Sequence, residues 1–270
     1  MKKNIKWTFI ALIPIILIVM PFYFIAIGGF MSISEIFHKP PYLIPPNPTW
    51  SYYIESFLTL LPYLKNSLII SIGVLIITLC VSLPTAFSLA KFNFYLKKPI
   101  YFLFTFVQIL PISALIIPLF LIFNSLKLIN SYLSAMLGIS VITICFSVII
   151  LTAYMQSIPM ELLESAQVDG ASLFKIFWKI VLPLSQSSIG TVTILTSIMA
   201  WGDFIVSLSF LKDRALQPMS IGLYNFISQY GVQWNKLMAG SMIFALPVMI
   251  AVIAVGRSIA AGLLTGALKQ

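Results

Sequence analysis

Seven stretches of this chain run twenty residues or more without a formal charge: 7–34, 66–90, 99–126, 128–160, 180–202, 215–235 and 237–256. A helix rising 1.5 Å per residue needs roughly 20 apolar residues to cross a ~30 Å hydrocarbon core. In lipid the backbone must satisfy its own hydrogen bonds, so such runs fold as helices. The run 215–235 fails as a span. It holds Gln217, Pro218, Gly222, Asn225, Gln229, Gly231, Gln233 and Asn235, and reads as a loop with a short helix around 221–229. The other six predict spans over about 8–30, 66–90, 101–124, 132–156, 184–210 and 237–257. The fold class is all-α transmembrane.

Composition excludes the main rivals. Of 270 residues 60% are hydrophobic and 9% charged, against roughly 25% charged in a soluble domain. A soluble enzyme is ruled out, and so is a nucleic-acid partner despite the net charge of +9. Two cysteines, Cys80 and Cys145, lie inside spans and read as packing residues. One histidine and seven acids leave nothing for a metal cluster.

Basic residues orient the spans. Lys2, Lys3, Lys6, Lys91, Lys97, Lys98, Lys175, Lys179, Arg257 and Lys269 fall on one side; Lys39, Lys65, Lys127, Lys212, Arg214 and Lys236 fall on the other. The positive-inside rule places both termini of this multi-pass membrane protein in the cytoplasm. The first span outruns a signal-peptide h-region and lacks a small-residue cleavage site at Pro21-Phe22-Tyr23, so it is expected to stay as an anchor. Three polar stretches interrupt the spans: a proline- and aromatic-rich outer segment of about 32–64, a cytoplasmic loop of about 157–183, and an outer loop of about 211–236. No internal repeat is visible, and residues 1–270 read as one transmembrane domain.

The cytoplasmic loop carries the densest signal. Pro159 and Glu161 suit a helix start. Leu162, Leu163 and Ala166 share a face at helical spacing, and Asp169-Gly170 is a stop. A second amphipathic segment, Ser172–Leu182, turns Phe174, Phe177, Trp178 and Val181 toward lipid at the interface. Ser165-Ala166 leaves a small surface that another protein can approach closely.

These residues resemble a known family. Glu164-Ser165-Ala166-x-x-Asp169-Gly170-Ala171, followed by Leu182-Pro183-Leu184, is similar to the EAA loop of ABC-importer permeases. Asn66-Ser67-Leu68, Ala90-Lys91-Phe92, Pro111 with Ile117-Pro118-Leu119, Tyr154 with Ile158-Pro159, Trp201-Gly202-Asp203-Phe204 and Leu246-Pro247 resemble the carbohydrate branch, maltose-type second permease subunit. The ending Gly262-Leu263-x-Thr265-Gly266-Ala267-x-Lys269 matches its tail pattern. Ser165 in place of Ala, Ser187 in place of Pro, and Gly202 in place of Asn depart from it. No sugar contacts are therefore carried over to the outer end of the fifth span.

The resemblance implies a six-span type I ABC-importer permease fold with a cytoplasmic coupling helix, in a bacterial cytoplasmic (inner) membrane. Implied partners are a homologous second permease subunit, two cytoplasmic ATPase subunits, an external solute-binding protein and membrane lipid. The chain lacks a glycine-rich phosphate loop. ATP and Mg are thus expected on the ATPase subunits, with no cofactor, metal or catalytic residue here. The ATPase-coupling loop would comprise Glu161, Glu164, Ser165, Ala166, Asp169, Gly170 and Ala171. An outer loop with Tyr224, Gln229, Tyr230 and Gly231 would face the binding protein. Gly266, Lys269 and Gln270 would form a tail touching the ATPases; helix packing through Gly262 and Gly266 is its alternative.

Candidate pathway residues are Gly190, Thr193, Ser197 and Trp201 on one small, polar face, with Asp203 near the outer surface. Each has a bland reading, helix packing for the face and capping for the carboxylate. Gln108, Asn124 and Asn130 read as amides satisfied by neighbours or water, and His38 as solvated. With no basic cluster buried in the spans, a neutral sugar or oligosaccharide is the expected solute. Glycerol phosphate or a polyol remains the alternative. A secondary transporter fits less well, lacking mid-membrane ionisable groups and paired repeats.

Overall fold

The computed structural model describes the backbone of residues 5–267 and the side chains of residues 12–253. The principal helices are α1 (Ile5–Gly28), α2 (Ser51–Lys91), α3 (Lys97–Ile109), α4 (Ile112–Ser125), α5 (Tyr132–Gln156), α6 (Met160–Val168), α7 (Leu173–Leu184), α8 (Gln186–Trp201), α9 (Ile205–Phe210), α10 (Met219–Tyr224) and α11 (Trp234–Ala267). Among the described residues three helices are long and apolar enough to cross a membrane, or up to five if each of two bent pairs is one span. Residues Leu12–Gly28 add a shorter apolar helix.

Helix α2 begins well before the expected span. At 41 residues it is about 60 Å long, twice the hydrocarbon thickness. Its added turns are held by buried Ser56 and Leu60 rather than by uniform apolarity.

The expected third span is not one rod. α3 and α4 meet at 109°. Leu110 is extended (φ −70°, ψ 131°), as is Pro111 (φ −63°, ψ 136°). A proline pushes the residue before it out of the α region and cannot donate the next helical hydrogen bond.

The fifth stretch breaks twice. α7 and α8 are bent by 76° around Ser185. α7 widens into a π-helical turn over Phe177–Val181. Its lipid face is narrower than expected: Phe174 and Trp178 are exposed, but Val181 is buried and Phe177 packs on Phe87 at 5.3 Å. The second break, Gly202–Phe204, separates α8 from α9.

Contacts divide the chain into two compact units, residues 1–64 with 219–247 and residues 65–218 with 248–270. The second unit has two apolar clusters. One gathers Ile70, Val74, Phe123, Ile139, Val206 and Phe210. The other gathers Phe87, Leu151, Met155, Leu163, Ile176 and Val192.

Amides fix the connections in this unit. Asn66 donates to Ala215 and Gln217 carbonyls at 2.9 and 2.8 Å and accepts from Tyr132 at 2.7 Å. Asn130, at φ +63°, accepts from the backbone of Lys212 and Asp213. Side-chain amides thereby take up loop groups that helices leave orphaned.

In the first unit, Ser56 donates to the Lys236 carbonyl at 3.0 Å, and Lys236 pairs with Glu55 at 2.8 Å. Glu35 closes a capping box with Ser32 and accepts from Asn47. The Ser32 backbone N–H, then the Asn47 side chain, hold the Glu35 carboxyl below its usual range. His38 is exposed, as expected, and stacks on Tyr42 at 4.4 Å.

Candidate functional site

Helix α6 is built from both ends. Pro159 precedes it with φ −57° and leaves no donor to satisfy, and Glu161 sits in the positive first turn. At the far end Gly170 has φ +78°, and its N–H bonds to the Gln167 carbonyl at 3.0 Å. Ala171 N–H reaches back to the Ala166 carbonyl at 2.9 Å. Those two bonds define a Schellman closure, which needs a left-handed residue where Gly170 stands.

The seat of this helix is apolar. Leu163 is 1% exposed within the cluster of Phe87, Leu151, Met155, Ile176 and Val192, and Ala166 and Ala171 pack against it. The sequence-based face needs correcting here. Leu163 and Ala166 turn inward, whereas Leu162 is 47% exposed. The small surface expected at Ala166 is largely spent on seating the helix. A nine-residue helix turns two and a half times, so adjacent leucines must diverge by 100°.

The outward surface is therefore different from the one anticipated. Glu161, Glu164, Ser165, Asp169 and Gly170 are exposed. So are Leu162 and two apolar residues that the sequence did not single out, Met160 and, at 89%, Val168. The Ser165 hydroxyl bonds the Glu161 carbonyl at 2.7 Å, turning its polarity back on the helix. Lys91 donates to the Ile158 carbonyl and ties the end of α2 to the turn before α6. Tyr154 donates to the Leu184 carbonyl at 3.2 Å and accepts from Ser187, the position lacking the family's proline.

The pathway candidates do not behave alike. Gly190, Thr193 and Ser197 are half-buried on α8, while Trp201 is 5% exposed and sits inside the packing. Asp203 accepts from the backbone N–H of Val206 at 3.3 Å and of Ser207 at 2.9 Å, and from the Ser207 hydroxyl at 2.7 Å. It caps α9, the bland reading of that carboxylate. Asp203 also lines a cavity of about 150 Å³ with Ile112, Ile139, Thr143 and Met199.

The outer segment, expected as a loop with a short helix around 221–229, has that helix earlier, at Met219–Tyr224. α10 is followed by a two-stranded hairpin, β1 (Ile227–Ser228) and β2 (Gly231–Val232), paired Ile227 to Val232 and Ser228 to Gly231. Tyr224 ends α10 and is half-exposed; Gln229 and Gly231 are exposed, and Tyr230 is 91% exposed at the hairpin tip. The tail residues Lys269 and Gln270 lie outside the described residues, and only the backbone of Gly266 is described.

Apolar helices broken at Pro111 and at Ser185 carry a short capped helix on their ends, and the fold is that of an ABC-importer permease. The chain superposes with a TM-score of 0.81, covering 94% of itself and 95% of the other chain, on a bacterial ABC transporter involved in the import of the acidic polysaccharide alginate. At 20% identity that likeness concerns the fold.

The family follows from sequence: residues 82–266 match the model of the binding-protein-dependent transport system inner membrane component, and the chain belongs to that family. It is 33% identical to a putative ABC transporter permease protein of Caldicellulosiruptor sp., over 99% of this chain and 98% of the relative. It is 28% identical to the sulfoquinovosyl glycerol transport system permease protein of Agrobacterium fabrum, over 87% and 84%. The protein is a membrane component of a transport system that depends on a binding protein.

Proposed function

We propose that this chain is one of two transmembrane subunits of an ATP-driven saccharide importer, and that α6 receives the force of a cytoplasmic ATPase. The observation that carries this reading is the two-sided character of α6. Its inner face is locked by Leu163 into a cluster drawn from α2, α5, α7 and α8. Its outer face presents Glu161, Glu164 and Val168, with Met160 and Leu162 exposed on its two flanks, a mixed charged and apolar surface suited to a cleft in a partner.

A close-packed interior transmits displacement rather than absorbing it. Moving α6 would therefore move the ends of four helices together. The chain's own part in the cycle is mechanical; ATP and Mg would be held by the two ATPase subunits. A homologous permease would complete the pathway, an external binding protein would deliver solute, and the termini would lie in the cytoplasm. The tail with Gly266, Lys269 and Gln270 would touch the ATPases, and truncating it should reduce ATPase activity while leaving permease assembly intact.

Saccharide is favoured by the substrate named for the Agrobacterium relative and by the absence, among the described residues, of a basic cluster buried in the spans. The test is reconstitution of the full complex in proteoliposomes with the cognate binding protein. Uptake of a neutral oligosaccharide, an acidic oligosaccharide and glycerol phosphate would be followed with and without internal ATP. Saccharide uptake that requires ATP is expected. Uptake of glycerol phosphate alone would reassign the solute, and uptake independent of ATP would overturn the importer reading.

A further inference from the structure

The sharpest unassigned feature is a cavity of about 170 Å³ lined by Leu89, Lys97, Lys98, Tyr101 and Gln156. It lies among the end of α2, the start of α3 and the end of α5, all within the second unit. Lys91 and Ile158, hydrogen-bonded to each other, bring it to the membrane face that bears α6. Leu89 is buried, Lys97 is half-buried, and Lys98 is exposed.

Two consecutive ammonium groups sit here at the positive end of a 13-residue helix with no acidic residue in its first turn. Like charges at a helix N-terminus are unfavourable. Lys97 makes one long hydrogen bond, 3.4 Å to Asn93, and neither lysine forms an ion pair among the described residues. The adjoining surface is apolar where a soluble loop would be polar: Tyr95 is 98% exposed, and Phe94 and Leu96 are exposed beside it. An uncompensated cationic pair above an apolar wall, flanked by exposed aromatics, has the chemistry of the bilayer interface.

We propose that an anionic glycerophospholipid binds here, with its headgroup phosphate at the mouth of the cavity beside Lys97 and Lys98 and an acyl chain along the apolar wall. The inference goes beyond the transport reading and does not depend on which solute is carried. An occupied site would hold α3 against the ends of α2 and α5, beside the seat of α6.

The test is native mass spectrometry of the full chain released from micelles with equal amounts of phosphatidylglycerol and phosphatidylcholine. Phosphatidylglycerol should be retained preferentially. Lys97→Gln with Lys98→Gln should reduce that preference about fivefold to thirtyfold, at a few-fold per lysine. Lys97→Arg with Lys98→Arg should keep it, showing that charge rather than folding was lost. Lys175→Gln with Lys179→Gln, a second basic pair of this sequence, should leave it intact. Unchanged retention in the Lys97/Lys98 double glutamine variant overturns the proposal. Equal loss in the Lys175/Lys179 variant does too, because the effect would then be diffuse surface charge. Displacement of lipid by millimolar inorganic phosphate would also overturn it, because the site would then take free phosphate.

Discussion

Two short segments leave the apolar helices, and they are built on opposite principles. α6 with its Asp169-Gly170 turn is anchored along its length, by Leu163 in a buried cluster and by two closing backbone bonds. The α10 segment and its hairpin are anchored at one end only. There, Gly222 lies against Tyr63 and Leu60, and Asn225 donates to the Tyr63 hydroxyl at 3.1 Å, while Gln229 and Tyr230 stand in solvent. The first arrangement suits transmission of force; the second suits contact with a partner that comes and goes. The difference predicts which substitutions act through fold and which act only on a partner.

The largest effect is expected at Gly170. Proline would hold φ near −65° where the chain needs +78° and would remove the N–H that bonds Gln167. The strain is roughly 3 kcal/mol or more, enough to unwind the closure. Gly170→Ala meets nothing within 4 Å of its new Cβ, so its penalty is backbone strain alone, about 1–2 kcal/mol. In proteoliposomes of the full complex, import should fall about tenfold or more with proline and a few-fold at most with alanine. Full-rate import with Gly170→Pro would mean that the closed turn is dispensable.

The next comparison separates seat from surface within α6. Ala166→Asp pushes a carboxylate toward the apolar cluster and should destabilise by about 2 kcal/mol or more. Val168→Asp, at a site 89% exposed, should change stability by no more than about 0.5 kcal/mol. Thermal unfolding should distinguish them, with a lower Tm for Ala166→Asp only. Both should uncouple ATP hydrolysis from uptake. Normal coupling in Val168→Asp would remove Val168 from the docking surface.

How much of this was legible in the sequence depends on which physics each residue obeys. Charge-free runs marked the apolar helices because exclusion of charge from lipid is local and severe. The Asp169-Gly170 stop was legible because a left-handed residue is a local requirement. The faces of α6 were not, because apolar composition alone could not tell Leu162 from Leu163; a tertiary cluster decided it. The bend at Pro111 was hidden for a related reason. A proline in an apolar run can kink a helix or end it, and only the packing around it selects a 109° turn. Asp203 carried two readings, and the Ser207 hydroxyl that satisfies it made capping the structural one.

At the anchored end of the outer segment, Gly222 tests whether the hairpin has a fixed base. A Cβ there would lie 2.9 Å from Tyr63 Cγ and 3.0 Å from Leu60 Cδ2, so Gly222→Leu should cost about 1–3 kcal/mol by overpacking. A lowered Tm with basal ATPase of the complex retained is expected. An unchanged Tm would show that the segment rests on Tyr63 loosely and that the one-end-anchored description is too strong.

The smallest effect, and the most selective, is expected at the hairpin tip. Tyr230 is 91% exposed, and its N–H bonds the Ser228 hydroxyl at 3.3 Å, a tie that does not involve its ring. Tyr230→Ala should therefore leave stability within about 0.5 kcal/mol. An exposed tyrosine on a short hairpin offers a large, rigid contact at low entropic cost, the kind of residue that anchors an interface. If the binding protein docks here, removing the ring should weaken docking by about 1 kcal/mol or more, a roughly fivefold loss of affinity. The readout is ATPase activity of the reconstituted complex against rising binding-protein concentration. The half-maximal concentration should rise, while basal activity without binding protein stays at the wild-type level. A parallel fall in both would mean that Tyr230 supports the fold, and no change in either would move the docking surface away from the hairpin.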